Sequence, residues 1–240
     1  MQYEQLAHNE LRHWQKRMSR KPSIVDRLSK NMQVRLNRII PEKIHEVITS
    51  TIKQMVRSVL FGSALALPKK NKYSILQETE EAVRKKIDFY KTAAAAEGGL
   101  TGAGGILLGL ADFPLLLGLK IKMLFDIAAI YGHDVNDYKE RLYILHIFQL
   151  AFSSQQHRRL VYQQIENWDS KSKELPTDIH AFDWRSFQQE YRDYIDLAKL
   201  AQLIPGIGAV VGVVVNYRLI NKLGVTSINA YRMRRFSTRS

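Results

Sequence analysis

Acidic and imidazole side chains are the groups in this sequence that could transfer protons or bind a metal. Asp112 lies between apolar neighbours, where burial would raise its pKa and make it a functional carboxyl. A helix N-cap explains the same aspartate equally simply. His146 lies on an apolar stretch with Leu142 and Leu145, which fits a core histidine as well as a ligand. Asp112 is therefore the single catalytic candidate.

The motifs of common enzyme sites are incomplete. His45 and Glu46 begin a zinc-protease pattern, but Thr49 stands where the second histidine belongs. The seven histidines contain no HxxxH pair, and cysteine is absent. Neither a P-loop nor a complete dinucleotide fingerprint nor a GxSxG elbow occurs. The sequence predicts no metal and no cofactor, and it favours a non-enzymatic protein.

The charge balance indicates an anionic partner. The 240 residues include 36 Lys and Arg against 23 Asp and Glu, a formal net charge of +13. Such a surface attracts nucleic acid or the acidic inner leaflet of a membrane. Signatures of RNA-binding, helix-turn-helix or zinc-finger modules are missing, which disfavours nucleic acid. The charged N-terminus lacks the apolar stretch of a secretory signal, so a cytoplasmic location is expected.

Basic and aromatic residues alternate near both ends of the chain, as in helices that lie on a membrane surface. A plain solvated charged face is the alternative. Apolar residues after Asp112 add a second possible lipid contact. The predicted membrane-contact residues are Trp14, Arg17, Phe113, Leu116, Arg232, Arg234, Arg235 and Phe236.

Apolar residues recur at helical spacing almost throughout, which predicts an all-α protein. Pro41 and Asp137 mark helix starts, and Gly132 marks a helix end. Asp112 and Pro114 are interpreted as the cap and first turn of another helix, and residues 168–183 as the main loop. The valines at 213–215 are assigned to helix because no partner strand is visible.

Two glycine-containing apolar segments are interpreted as helices that pack together at the centre of one bundle. Small residues at helical spacing allow close backbone approach, which offsets the roughly 1 kcal/mol that each helical glycine costs. The packing residues are Gly98, Gly102, Gly105, Gly109, Ala201, Gly208, Gly212 and Asn216. Such a pair could form a seam inside a water-soluble bundle or a hairpin that enters lipid to a shallow depth. Full spanning is disfavoured by Asp112 and by the shortness of residues 203–215.

A composite of these segments resembles the EcsC protein family. It comprises AEGGLTGAGGILLGLADFP, a helix ending in IAAIYGHD, the helix YKERLYILHIFQLA, and LIPGIGAVVGVVVNYRLI with a YRMRRF tail. The resemblance covers residues 91–236 of a single helical domain spanning 1–240, and residues 1–90 contribute basic helices. It implies a peripheral membrane protein of unresolved biochemistry that accompanies the subunits of an ABC exporter.

The sequence therefore predicts a non-enzymatic accessory protein on the cytoplasmic face of the membrane, with anionic lipid and ABC transporter subunits as partners. A lipid-directed hydrolase that uses Asp112 or a histidine, or a lipid-binding protein, is the alternative.

Overall fold

The computed structural model describes residues 2–21, 42–62, 68, 70, 73, 75–101, 105–154, 157–195 and 212–237, with backbone alone at 45, 95–101, 105–111 and 212–215. Across these ranges the regular structure is helical, apart from one isolated β-bridge between Ser153 and Ile195. The predicted all-α fold is thus confirmed. The α-helices described are α1 (Gln2–Ser19), α2 (Glu42–Phe61), α3 (Leu76–Thr101), α4 (Gly105–Ile130), α5 (Tyr138–Phe152), α6 (Arg158–Ile165), α7 (Trp168–Glu174), α8 (Trp184–Tyr194) and α9 (Gly212–Ser237).

Helix α5 is the central element of the bundle. Its side chains from Leu142 to Phe152 are buried with the exception of His146, as expected for a helix that is apolar on every side. Helices α2, α4, α6 and α9 pack around it. Helix α3 packs against α4 and α9, and α1 crosses α3, α6 and α9. The fold thereby packs the N-terminal helix α1 against the C-terminal helix α9.

Helices α3 and α9 approach each other closely at Gly224, in the middle of α9. A Cβ atom at this position would lie 2.6 Å from Cδ1 of Ile87 on α3. Any side chain at this position would force the Ile87 side chain to shift. Helix α9 continues through Gly224 from Gly212 to Ser237, so this glycine serves packing rather than ending the helix.

Two predicted helix ends are confirmed by their backbone geometry. Gly132 has a φ of 86°, and its N–H donates to the carbonyl of Ala129. The N–H of His133 donates to the carbonyl of Ala128, which completes a Schellman motif after α4. Asp137 is the N-cap of α5 and accepts a hydrogen bond from the backbone N–H of Lys139.

The interpretation of Asp112 and Pro114 as a helix start is wrong. Helix α4 runs without a break from Gly105 to Ile130, with Pro114 inside it. An interior proline costs about 3 kcal/mol, but Phe113 and Leu117 are buried on this helix and their packing outweighs that cost. The predicted main loop at 168–183 is also partly helical, since it contains α7 and a 3-10 helix at Ile179–Ala181.

The structure describes only part of the two glycine-containing apolar segments. Gly98, Gly105, Gly109 and Gly212 lie in helices, whereas Gly102, Ala201 and Gly208 lie outside the described residues. Asn216 is buried and joins three helices, because its Nδ2 donates to the carbonyl of Ala94 and its Oδ1 accepts a 2.7 Å hydrogen bond from Lys120 Nζ. The valines that follow Gly212 are helical, as predicted. Among the described helices, none combines the length and hydropathy needed to cross a bilayer.

Candidate functional site

Arg232, a predicted membrane-contact residue, is neutralised inside the fold. Its side chain is only 3% exposed, and it forms a bidentate pair with Glu80, with Nε and Nη2 at 2.7 and 2.6 Å from the two carboxylate oxygens. Its Nη1 also donates to Glu10 Oε2 at 2.7 Å. Because Glu80 is fully buried, this arginine holds a carboxylate in the core, and its own charge is already compensated.

Arg234 is neutralised in the same way. Its Nη1 donates to Glu140 at 2.6 Å and its Nε donates to Asp169 at 2.8 Å, while its guanidinium lies 4.9 Å from the ring centre of Tyr143. Tyr231 donates a further 2.7 Å hydrogen bond to Glu140. Burial raises the pKa of Glu140 despite the opposing effect of Arg234. We refer to Arg232, Arg234, Glu10, Glu80, Glu140 and Asp169 as the matched cluster.

His133 lies at the edge of the matched cluster. Its Nδ1 is 3.6 Å from Glu140 and its ring stacks on Tyr231. Burial, together with the positive charge of Arg234, lowers the pKa of His133 to about 3. The imidazole is therefore neutral at physiological pH, and its contact with Glu140 is not an ion pair.

The other predicted contact residues divide between core and surface. Trp14, Phe113 and Leu116 are buried, so their side chains are part of the core rather than of an outer face. Phe236 is half-buried against His8, and Arg235 is also half-buried. Arg17 is exposed on α1. Asp112 is half-buried in mid-helix, and the described residues contain no cluster of three or more metal-ligating side chains.

A cavity of about 520 Å³ lies between α1, α3 and α9. Three arginines line it, Arg17, Arg84 and Arg232, together with Glu10, the one carboxylate among its described lining residues. Two apolar side chains at its edge are well exposed, Leu6 at 55% and Val225 at 41%.

Asn229 adds a polar group to the wall of this cavity. It is 6% exposed, and its Nδ2 donates to the carbonyl of Val225. Its Oδ1 is buried and has no hydrogen-bond partner among the described residues. A buried acceptor of this kind carries a desolvation cost until a donor reaches it.

A second cavity of about 400 Å³ adjoins the first, because Trp14, Arg17 and Val225 line both. Its cationic lining residues are Arg17, Arg158 and Lys222, and no carboxylate is among the described residues that line it. Ser153, Asn221 and Thr226 supply neutral polar groups. We name the two adjoining cavities the α1–α9 groove.

Arg17 and Arg158 differ from the arginines of the matched cluster. Neither forms a salt bridge with any residue in the described ranges. The Nε of Arg158 is buried without a hydrogen-bond partner among those residues. An unpaired guanidinium beside neutral donors is the arrangement that binds carboxylate or phosphate oxygens, with planar hydrogen-bond geometry. The α1–α9 groove can therefore hold an anion.

Comparison with known proteins places the chain in a family. The model of the EcsC protein family matches residues 5–236. The chain therefore belongs to the EcsC protein family. It is 47% identical to Protein EcsC of Bacillus subtilis (strain 168) over 96% of this chain and 95% of that protein. It is also 34% identical to the uncharacterized protein YdbA of the same organism, over 61% of this chain and 54% of that protein. No solved structure matches the chain.

The family match is longer than the sequence resemblance indicated, because it includes α1 and α2 as well as the region after residue 90. Sequence reasoning identified Arg17 in the groove but missed Arg84, Arg158, Asn229 and Lys222. These residues belong to three helices that are distant in sequence, α3, α6 and α9. The crossing of α1 over these three helices brings them together with Arg17.

Proposed function

We propose that this protein is a peripheral membrane protein whose α1–α9 groove binds the phosphate headgroup of an anionic phospholipid. The observation that carries the proposal is the pair Arg17 and Arg158, which line a cavity without a facing carboxylate among the described residues. A phosphate oxygen would accept hydrogen bonds from these guanidinium groups and compensate their desolvation. No catalytic step is part of the proposal.

The edge of the groove suits a lipid better than a free phosphate ion. Leu6 and Val225 are exposed apolar side chains beside the cationic lining, so they can contact the glycerol and upper acyl region of a lipid whose headgroup is in the groove. Each cation near an anionic bilayer contributes about 1 kcal/mol. Attachment would therefore be reversible and weakened by salt.

The location and protein partner follow from this proposal and from family resemblance. The acidic leaflet of the cell membrane faces the cytoplasm, so a cytoplasmic, membrane-apposed position is the matching proposal. Contact with ABC transporter subunits stays a prediction that derives from the family resemblance alone. The lipid-directed hydrolase alternative, which depends on Asp112 or a histidine, also stays a prediction.

The test is cosedimentation with vesicles of phosphatidylcholine alone or mixed with phosphatidylglycerol. We expect the wild-type protein to sediment with the mixed vesicles at low salt, and the Arg17→Gln/Arg158→Gln variant to bind about 30-fold more weakly, since two contributions of roughly 1 kcal/mol are lost. Replacing chloride by inorganic phosphate at constant ionic strength distinguishes a free-anion site from a lipid site. Phosphate should block vesicle binding only if the groove prefers the free anion.

The matched control is Arg12→Gln/Arg159→Gln, which removes the same charge from the same two helices at positions that do not line the groove. Its binding should change by less than about threefold. Equal loss in both double variants would show that net charge alone drives attachment and would reject the groove. Absence of wild-type binding to the mixed vesicles at low salt would reject the proposal altogether.

A further inference from the structure

A separate cavity of about 480 Å³ lies between α5, α6, α7 and α8 and shares no lining residue with the α1–α9 groove. This volume is within the roughly 300–1,000 Å³ typical of small-molecule sites. Its walls carry five aromatic side chains, Trp168, Phe182, Phe187, Tyr191 and Tyr194. The cavity therefore offers aromatic faces to a ligand.

His146 presents an unprotonated nitrogen in this cavity. The Nε2 of Gln149 donates to the backbone carbonyl of Tyr191 at 3.2 Å, which leaves the amide oxygen to face His146. That oxygen is 3.3 Å from His146 Nδ1, so Nδ1 must carry the hydrogen and donate. Burial lowers the pKa of His146 to about 4, which keeps the ring neutral at physiological pH. Nε2 is consequently a hydrogen-bond acceptor with no described partner.

The charges around the cavity have the opposite sign to those of the protein as a whole. Glu174 and Glu190 line it at exposed positions. Lys171 is the one cation among the described residues that line it, and its Nζ donates to the carbonyl of Gln163. A chain with a net charge of +13 thus contains a cavity with two carboxylates against one ammonium group.

Aromatic faces, carboxylates and a lone-pair acceptor are the groups that recognise an organic ammonium ion. The rings of Trp168 and Phe187 are steeply inclined to the ring of His146, with ring centres 5.8 and 5.3 Å from it, and all three side chains line the cavity. We propose that this cavity binds a small organic ammonium ion that has an N–H group, with that N–H donating to His146 Nε2 and with Glu174 and Glu190 balancing the charge. The apolar part of the ligand would pack on the aromatic walls.

Three probes of nearly equal shape separate the components of this recognition. Phenethylamine carries both charge and N–H, phenethyltrimethylammonium carries charge without N–H, and phenethyl alcohol carries neither charge nor an ammonium group. Calorimetric titration of the purified full chain at neutral pH should give affinities in that order, with phenethylamine at least tenfold tighter than the alcohol, because a charge-assisted hydrogen bond is worth about 1.5–3 kcal/mol.

Variants assign the binding to this cavity. His146→Leu should reduce phenethylamine affinity about tenfold or more and that of the alcohol less, because the hydroxyl can donate only a neutral hydrogen bond to Nε2. Should His146→Leu fail to fold, Glu190→Gln provides the same decision, with Asp193→Asn as the matched control on the same helix at a position that does not line the cavity. Trp168→Phe should remove the tryptophan fluorescence change on binding, and Trp14→Phe should retain it.

Two outcomes overturn the proposal. One is equal affinity for phenethylamine and phenethyl alcohol, or no binding of phenethylamine at millimolar concentration. The other is an equal effect of Glu190→Gln and Asp193→Asn on the amine. The Arg17→Gln/Arg158→Gln variant should bind phenethylamine like the wild type, so failure of the lipid proposal would leave this result interpretable.

Discussion

Two groups of arginines, one on helix α9 and one facing it across the α1–α9 groove, have opposite electrostatic surroundings. Arg232 and Arg234 of the matched cluster each meet two carboxylates and hold buried charges in the core. Arg17 and Arg158, across the α1–α9 groove, form no salt bridge in the described part of the chain. Net charge therefore does not locate a binding surface in this protein. The position of the carboxylates decides which cations are left for a partner.

Removing Arg232 should have the largest effect on stability. Arg232→Met leaves Glu80 buried without its bidentate partner, and we expect a loss of about 3–5 kcal/mol in the free energy of unfolding. Urea denaturation followed by circular dichroism measures it. Adding Glu80→Gln to this variant should restore part of the loss, because the uncompensated charge is removed. A loss below about 1 kcal/mol would mean that Arg232 is not a structural charge.

Acidification should lower the free energy of unfolding through two histidines, His133 at the edge of the matched cluster and His146 in the aromatic cavity. His133 and His146 have folded pKa values of about 3 and 4, below their ordinary value of 6.5. The unfolded chain therefore binds protons first, and stability falls as pH decreases from about 6.5 towards 4, by roughly 1.4 kcal/mol per pH unit for each histidine.

Glu140 acts in the opposite direction over this interval. Its raised pKa means that protonation favours the folded state as pH falls, which reduces the loss at the acidic end. Denaturation curves between pH 7 and 4 would reveal the slope, and His133→Gln should lower it by about one proton. An unchanged slope in that variant would contradict the neutral state assigned to His133.

The arginines of the groove should have the smallest effect on stability. Arg17→Gln/Arg158→Gln breaks no salt bridge with a described residue, so its free energy of unfolding should stay within about 0.5 kcal/mol of the wild type per substitution. Thermal denaturation of the same samples used for vesicle binding would verify this. A loss comparable to that of Arg232→Met would remove the distinction between the two groups.

Features encoded in adjacent residues were predictable from sequence. Gly132 and Asp137 mark a helix end and a helix start because the chemistry of each acts on backbone atoms within a few positions. Pro114 was misleading for the converse reason. Its local cost is real, but the burial of Phe113 and Leu117 depends on helices elsewhere in the chain, and this tertiary packing decides that α4 continues.

The candidate site was less predictable because it depends on pairing across the fold. Arg232 meets Glu80 over a separation of 152 residues, and nothing in the basic C-terminal run indicates that partner. The same limitation hid Arg158, whose significance derives from a neighbour on α1. Arg17 was identified because exposed cations on a terminal amphipathic helix can be recognised locally.

The contact between Gly224 and Ile87 has a mechanical consequence. Helix α9 has 26 residues and is about 39 Å long. Asn216 near its start accepts the hydrogen bond from Lys120, and residues further along the helix line the groove. Sliding α9 along α3 by a single 1.5 Å step would press Ile87 against positions that carry a Cβ. This contact therefore opposes a change of register between α3 and α9, and so favours a constant spacing along α9 between the groove wall and the Lys120–Asn216 hydrogen bond.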